Sequence, residues 1–236
     1  MSAPPTHQVT VAIPADTLTQ LMSAGASLYA LLSFQTSNLS GRPLVIYANA
    51  LLSQTQTIGW TETYAGFVSR TELTAGLTDP SQRTIAVGAS APMRPGDAMT
   101  VQAPLQCAIT ADGPAGAFGL RSDLDTPLSC GLALGPQPLC AITLTRGLQV
   151  TVVPVQSLFL MVSTSDFALG SWVDQSSSDG LLVDMAGTDA RTVTLDLAAP
   201  KPWKESDQAW ATAVPNGAEL AALLRVKPPR NVPRQM

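Results

Sequence analysis

Residues able to do chemistry are sparse in this chain, and their spacing excludes most familiar arrangements. His7 is the only histidine, so zinc sites built on several histidines and two-histidine iron sites are ruled out. A Ser-His-Asp or Cys-His triad would have to pass through that one ring. Read plainly, His7 is a surface or strand-edge residue with no partner visible in the pattern. The lysines, Lys201, Lys204 and Lys227, all fall late in the chain, where no sheltered Schiff base is expected. Neither GxxxxGK[ST] nor a GxGxxG between strand and helix occurs, so no phosphate cradle is expected. Cys107, Cys130 and Cys140 are odd in number and match neither a disulfide framework nor a CxxC knuckle. They read as free, buried thiols in a reducing compartment.

Carboxylates remain. Asp174, Asp179, Asp184 and Asp189 recur at every fifth position through DQSSSDGLLVDMAGTD, and Asp123 and Asp125 flank Leu124. Calcium loops place oxygens at alternate positions around a glycine turn, and neither segment has the EF-hand spacing. A glycosidase needs two carboxyls facing each other across a cleft; a carboxylate-dependent hydrolase is therefore the third reading of the function. Asp and Ser also favour turns because their side chains bond nearby backbone, and turn chemistry is the reading adopted for both segments.

The aromatic stretch IGWTETYAGF is the best candidate for a binding surface. On one continuous strand Trp60, Glu62 and Tyr64 would share a face. A carboxylate between two rings suits a core badly, since a buried charge needs a partner. It suits sugar recognition better, with rings offering apolar faces and the carboxylate accepting hydrogen bonds. The competing expectation, and the one taken forward, is a core or subunit seam in which Glu62 pairs with an arginine such as Arg70 or Arg83. Trp172 is a further ligand or interface candidate.

The elements that must carry these residues are strands. Val9, Val11 and Ile13 alternate with Gln8, Thr10 and Ala12, and Val193, Leu195 and Leu197 alternate with Thr192, Thr194 and Asp196. Period two marks strands half-buried on one face. Similar short runs recur along the chain, punctuated by SGRP, RPGD, DGPAG and LGPQP. The pattern predicts an all-β fold, an antiparallel β-sandwich of jelly-roll type. Two helices are expected. One lies in ADTLTQLMSAG, between Asp16 and Gly25. The other covers 217–226, capped by Asn216 with Glu219 three residues on, striped by Leu220, Leu223 and Leu224, and stopped by Pro228–Pro229. The chain thus divides into one sandwich over 1–200 and a C-terminal extension over 201–236. In that extension Trp203 and Trp210 read as anchors, while Arg225, Lys227, Arg230 and Arg234 form a basic, Pro-rich arm without an acid.

Charged residues make up 13% of the chain against 45% hydrophobic, so the surface must be built largely from Ser, Thr, Gln and Ala. Such a surface costs little to desolvate and suits burial against copies of itself, sugars or a lipid headgroup layer. The net charge is −4, and the body without its basic arm is more acidic still, which argues against nucleic-acid binding. The opening MSAPPTHQVTVAI lacks the basic and apolar regions of a signal peptide. No apolar run approaches the roughly 18 residues of a spanning helix. The expected location is the cytoplasm, with release by lysis or a dedicated route left open.

The leading functional expectation is a non-enzymatic β-sandwich that self-associates into a homo-oligomer through its extension. The assembly residues are then Trp203, Trp210, Leu220, Leu223, Leu224, Arg230 and Arg234. The alternative is a lectin-like or membrane-surface-binding, toxin-like sandwich that uses Trp60, Glu62, Tyr64 and Trp172. No metal or organic cofactor is expected in either.

Overall fold

The computed structural model describes residues 6–36, 38–74 and 83–226. Arg230 and Arg234, with the rest of the basic arm from Lys227 onward, lie outside the described residues. The first part of the chain supplies β1 (Thr6–Ala12), α1 (Ala15–Ser23), β2 (Ser27–Thr36), β3 (Arg42–Pro43), β4 (Val45–Asn49), β5 (Thr55–Thr61) and β6 (Tyr64–Ser69). The middle supplies β7 (Ala89–Met93), β8 (Ala98–Gln102), β9 (Gln106–Thr110), β10 (Phe118–Ser122), β11 (Leu128–Leu134) and β12 (Gln137–Leu144). The remainder supplies β13 (Gln149–Ser163), β14 (Gly180–Asp184), β15 (Ala190–Thr194), β16 (Ala211–Val214), α2 (Leu220–Leu224) and β17 (Arg225–Val226).

These strands form a predominantly β domain with mixed sheets and little helix. One sheet has the order β15-β1-β5 and another the order β3-β12-β11-β6-β7. The largest runs β16-β14-β13-β10-β8-β9, with β2 also pairing β13 and carrying β4 and β17. The expected antiparallel arrangement needs correction, because β1–β15, β8–β10 and β2–β17 pair in parallel. Parallel neighbours need long crossovers between them. Here β1 and β15 come from distant parts of the chain, while the other edge of β1 is paired with the nearer β5.

Alternation along β2 and β13 has a second consequence. Leu28, Ala30, Leu32 and Phe34, with Leu158, Leu160 and Val162, join the main core shared by all three sheets. Their neighbours Tyr29 and Leu31, with Phe159 and Met161, face the other way into a second cluster. Both strands are therefore covered on both faces, which is why SLYALLSF and LFLMV read as continuous apolar runs. The second cluster is closed by Phe167, Val173, Val214, Leu220 and Leu224. A third cluster, with Phe67, Ala133, Ala141 and Trp172, covers the outer face of the β6–β11–β12 sheet.

Helix α1 forms where expected. Asp16 sits in its first turn, Thr17 and Leu21 are buried, and Gly25 follows at φ 67°. A positive φ there is cheap only for glycine. Helix α2 is shorter than the expected 217–226 and Asn216 does not cap it. The reason is tertiary. The backbone N–H groups of Asn216, Gly217 and Leu220 donate to Asp179 Oδ1, the Ser176 carbonyl and the Asp174 carbonyl, which hold the approach in an irregular path.

Residues 201–226 are also more than an appended segment. Trp203 is 1% exposed within the main core, β16 pairs with β14, and β17 pairs with β2. Leu220 and Leu224 are fully buried against β2 and β13 of the same chain. The apolar stripe assigned to assembly is thus consumed by the domain's own second cluster.

Strand β11 shows how tightly these layers meet. A Cβ added at Gly131 would overlap the Cys140 carbonyl oxygen and lie 2.9 Å from the Phe67 ring. Both obstacles belong to neighbouring strands and cannot swing away. Gly131→Ala should therefore cost about 3 kcal/mol of stability, read as a lower urea midpoint at unchanged slope.

Candidate functional site

A cleft forms where β13 changes partners. Along one edge β13 pairs with β10 over residues 149–152 and with β14 over 157–160. Between those stretches, Val153 to Gln156 have no strand partner on that edge among the described residues. Pro154 lies in this gap and has no N–H to give a ladder. On the opposite edge the register with β2 also shifts between Pro154 and Leu158. The opening meets the crossing from β5 to β6, giving a cleft of about 220 Å³ lined by Trp60, Glu62, Tyr64, Phe118, Pro154 and Gln156, among others.

Trp60, Glu62 and Tyr64 are thus brought together, though not on one strand. β5 ends at Thr61 and β6 begins at Tyr64, and Thr63 N–H turns back to the Thr61 carbonyl at 2.7 Å. The chain passes here from the β1 sheet to the β11 sheet. Glu62 occupies the step, with one ring at the end of each strand.

Glu62 is held by two donors that the sequence reading did not pair with it. His7 Nε2 lies 3.0 Å from Glu62 Oε1, and Gln156 Nε2 donates to the same oxygen at 3.1 Å. Neither Arg70 nor Arg83 takes that role. Glu62 Oε2 accepts no hydrogen bond among the described residues, and the side chain remains 21% exposed.

The expectation of a surface or strand-edge histidine fails. His7 is 3% exposed, lies on the central strand β1 opposite Trp60 of β5, and its ring centroid is 5.4 Å from that of Trp60. Its Nδ1 is buried without a hydrogen bond among the described residues, with Asp189 Oδ1 3.7 Å away. The signal was available in the sequence. His7 has the same parity as Val9 and Val11, so alternation puts it on the core side.

Tyr64 packs its ring 5.1 Å from that of Phe118. Burial first, and then the Glu62 carboxylate, push its phenol well above the ordinary range. The hydroxyl therefore stays protonated and able to donate. Within this cleft Glu62 is the only carboxylate among the lining residues.

A second cleft of about 400 Å³ shares Trp60 as a wall and is lined also by Tyr47, Ile58, Thr61, Thr63 and Gln137, among others. Tyr47 is fixed there by Asn49 and Gln56, its hydroxyl 3.3 Å from Asn49 Nδ2 and from Gln56 Oε1.

The other candidates lie elsewhere. Trp172 is fully buried in the third cluster and presents no ligand surface. Trp203 donates its indole N–H to the Asp179 carbonyl at 3.0 Å. Trp210 is half-buried, with Arg191 4.6 Å over its ring. Leu223 packs on the edge of the second cluster. The spaced aspartates are dispersed in structural roles. Asp174 lies between Arg42 and Arg83, Asp179 and Asp184 accept backbone N–H groups, and Asp125 pairs with Arg146. Among the described residues no group of three His, Cys, Asp or Glu is placed to hold a metal ion. Compared with protein-family models, with curated proteins and with solved structures, the chain matches none of them.

The cysteines are free thiols, with Cys130 and Cys140 buried and Cys107 half-buried. Burial pushes Cys130 and Cys140 up to about 12, so at pH 8 only about one molecule in ten thousand carries either thiolate. In native protein at pH 8 iodoacetamide should leave Cys130 and Cys140 unmodified for hours. Under denaturing conditions without reductant, mass spectrometry should show three modified cysteines.

Proposed function

We propose that the chain is a non-enzymatic binding protein that holds a small, uncharged, polyhydroxylated ligand such as a sugar in the Trp60–Glu62–Tyr64 cleft. The observation that carries this reading is the attachment of Glu62 by one oxygen only. His7 and Gln156 fix Oε1 and leave Oε2 to accept from a ligand hydroxyl between two aromatic side chains. Small-molecule sites characteristically combine apolar walls with a few placed polar groups. A hydrolytic reading would call for a second carboxyl across the cleft, and Glu62 stands alone there. Insertion into a headgroup layer would call for protruding rings, whereas Trp172 is buried and Trp60 is half-buried.

Trp172 and Trp203 are fully buried and Trp210 is half-buried under Arg191, so in a Trp210→Phe background a ligand-induced change in indole fluorescence reports on Trp60. Screening neutral monosaccharides should find one that shifts the emission. Glu62→Gln and Tyr64→Phe should each bind it about tenfold more weakly, equivalent to roughly 1.4 kcal/mol, with unchanged melting temperature. If no neutral sugar shifts the emission, the reading fails.

Self-association is the second reading, and it now rests on β5 instead of the C-terminal stretch. Among the described residues β5 pairs only with β1, which leaves an open edge of seven residues, TQTIGWT, with no charge and no proline. Edges of that kind invite pairing with another chain. Two copies joined edge to edge by a two-fold axis would give a continuous sheet. Light scattering should then show a dimer or larger species. Thr55→Lys combined with Thr57→Lys, both at exposed positions, should reduce it to a monomer.

A further inference from the structure

The two clefts beside Trp60 are more informative together than apart. The Glu62 cleft, at about 220 Å³, is smaller than the roughly 300 Å³ at which ligand sites usually begin. The second cleft, at about 400 Å³, is within that range but is walled largely by apolar groups and neutral hydroxyls. They meet at Trp60, which lines both. A ligand filling only the first would leave the adjoining apolar walls of the second wet.

The polar groups of the pair are consistent with one another. The first cleft offers Glu62 Oε2 as an acceptor and the Tyr64 hydroxyl as a donor. The second offers the hydroxyls of Thr6, Thr61 and Thr63 and the amide of Gln137. No lysine or arginine lines either, and Glu62 is the only charged residue. Anionic chains such as nucleic acid or sulfated glycans would meet a carboxylate with no compensating cation. An uncharged polyol with alternating hydroxyls and apolar C–H faces would find acceptors, donors and rings in turn.

We infer that the two clefts are adjoining subsites for a single neutral oligosaccharide of at least two rings, which crosses Trp60 from the Glu62 side to the Thr61–Gln137 side. This rests on the binding reading proposed for the Glu62 cleft and extends it to ligand length. Binding energy in such a site is gained ring by ring without a new initial ordering cost, so affinity should climb steeply from one ring to two.

The test uses the full chain and Trp60 fluorescence, with neutral gluco-, manno- and N-acetylglucosamine oligomers of one to five rings as probes. Affinity should rise at least tenfold from the monosaccharide to the disaccharide or trisaccharide of the series that binds. Pro136→Phe, or Ile46→Phe should the first variant lose its native melting temperature, fills the second cleft from a lining position given no polar role in binding. Either should abolish that gain while leaving the monosaccharide affinity unchanged. Equal affinity for one ring and for several, sensitive to Glu62→Gln but not to Pro136→Phe, overturns the two-subsite inference and leaves the single-cleft reading standing. No response to any neutral sugar, or a response confined to choline or to an extended peptide, overturns both.

Discussion

One strand must serve three neighbours, and its hydrogen bonds cannot be satisfied in a single register. β13 is fifteen residues long. It pairs with β2 along most of one edge and divides the other between β10 and β14. Unpaired backbone in a sheet is costly unless it reaches solvent or another partner. The solution is a break at Pro154, where a missing N–H costs nothing, and the break opens onto solvent. The cleft is the consequence of that topology. Moving the proline back two residues, to position 152, would place it opposite Phe118 in a working ladder and remove the reason for the opening.

The same strand explains the layering. With Leu158, Leu160 and Val162 in one cluster and Phe159 and Met161 in another, β13 needs cover on both faces. The first cover comes from the other two sheets. The second has to come from chain not yet used, namely Phe167, Val173 and the segment through Val214, Leu220 and Leu224. A helix of five residues has little stability alone. α2 exists because these leucines are buried against β2 and β13. The last described part of the chain therefore belongs to the fold's interior, and the apolar surface available for partners is smaller than composition suggests.

Local signals in the sequence were legible wherever a residue's neighbours determine its state. The strand alternation of Val9–Val11–Ile13, the glycine at the end of α1 and the absence of a disulfide pattern all belong to this class. Pairings between distant segments were not legible. Nothing near His7 names Glu62, since the contact depends on β1 lying beside β5 and on β13 bringing Gln156 across. Trp60, Glu62 and Tyr64 do line one cleft, but not for the reason their alternation offers. They meet at a crossing between two sheets, and their apparent single-strand period hides the step at Glu62–Thr63. The C-terminal leucine stripe was read correctly as a helix face that must be covered. Its partner was in the same chain, which a pattern of apolar residues cannot distinguish from a second copy.

The network around Glu62 is poorly explained by stability alone. Burying a carboxylate and an imidazole costs several kcal/mol unless each is well paired, and here the pairing is incomplete, with His7 Nδ1 unbonded and Glu62 Oε2 open. His7 is the buried member, and an apolar residue of similar size at that position would fill the same space at less cost, in a chain that otherwise uses charge sparingly. Departures of this kind from local consistency concentrate where a protein binds or reacts. The imidazole also controls orientation. It lies against Trp60 while its Nε2 contacts the carboxylate, so ring and acceptor are located by one side chain on a central strand. That fixed relation between an aromatic ring and a single free oxygen favours a ligand-binding role over a structural one.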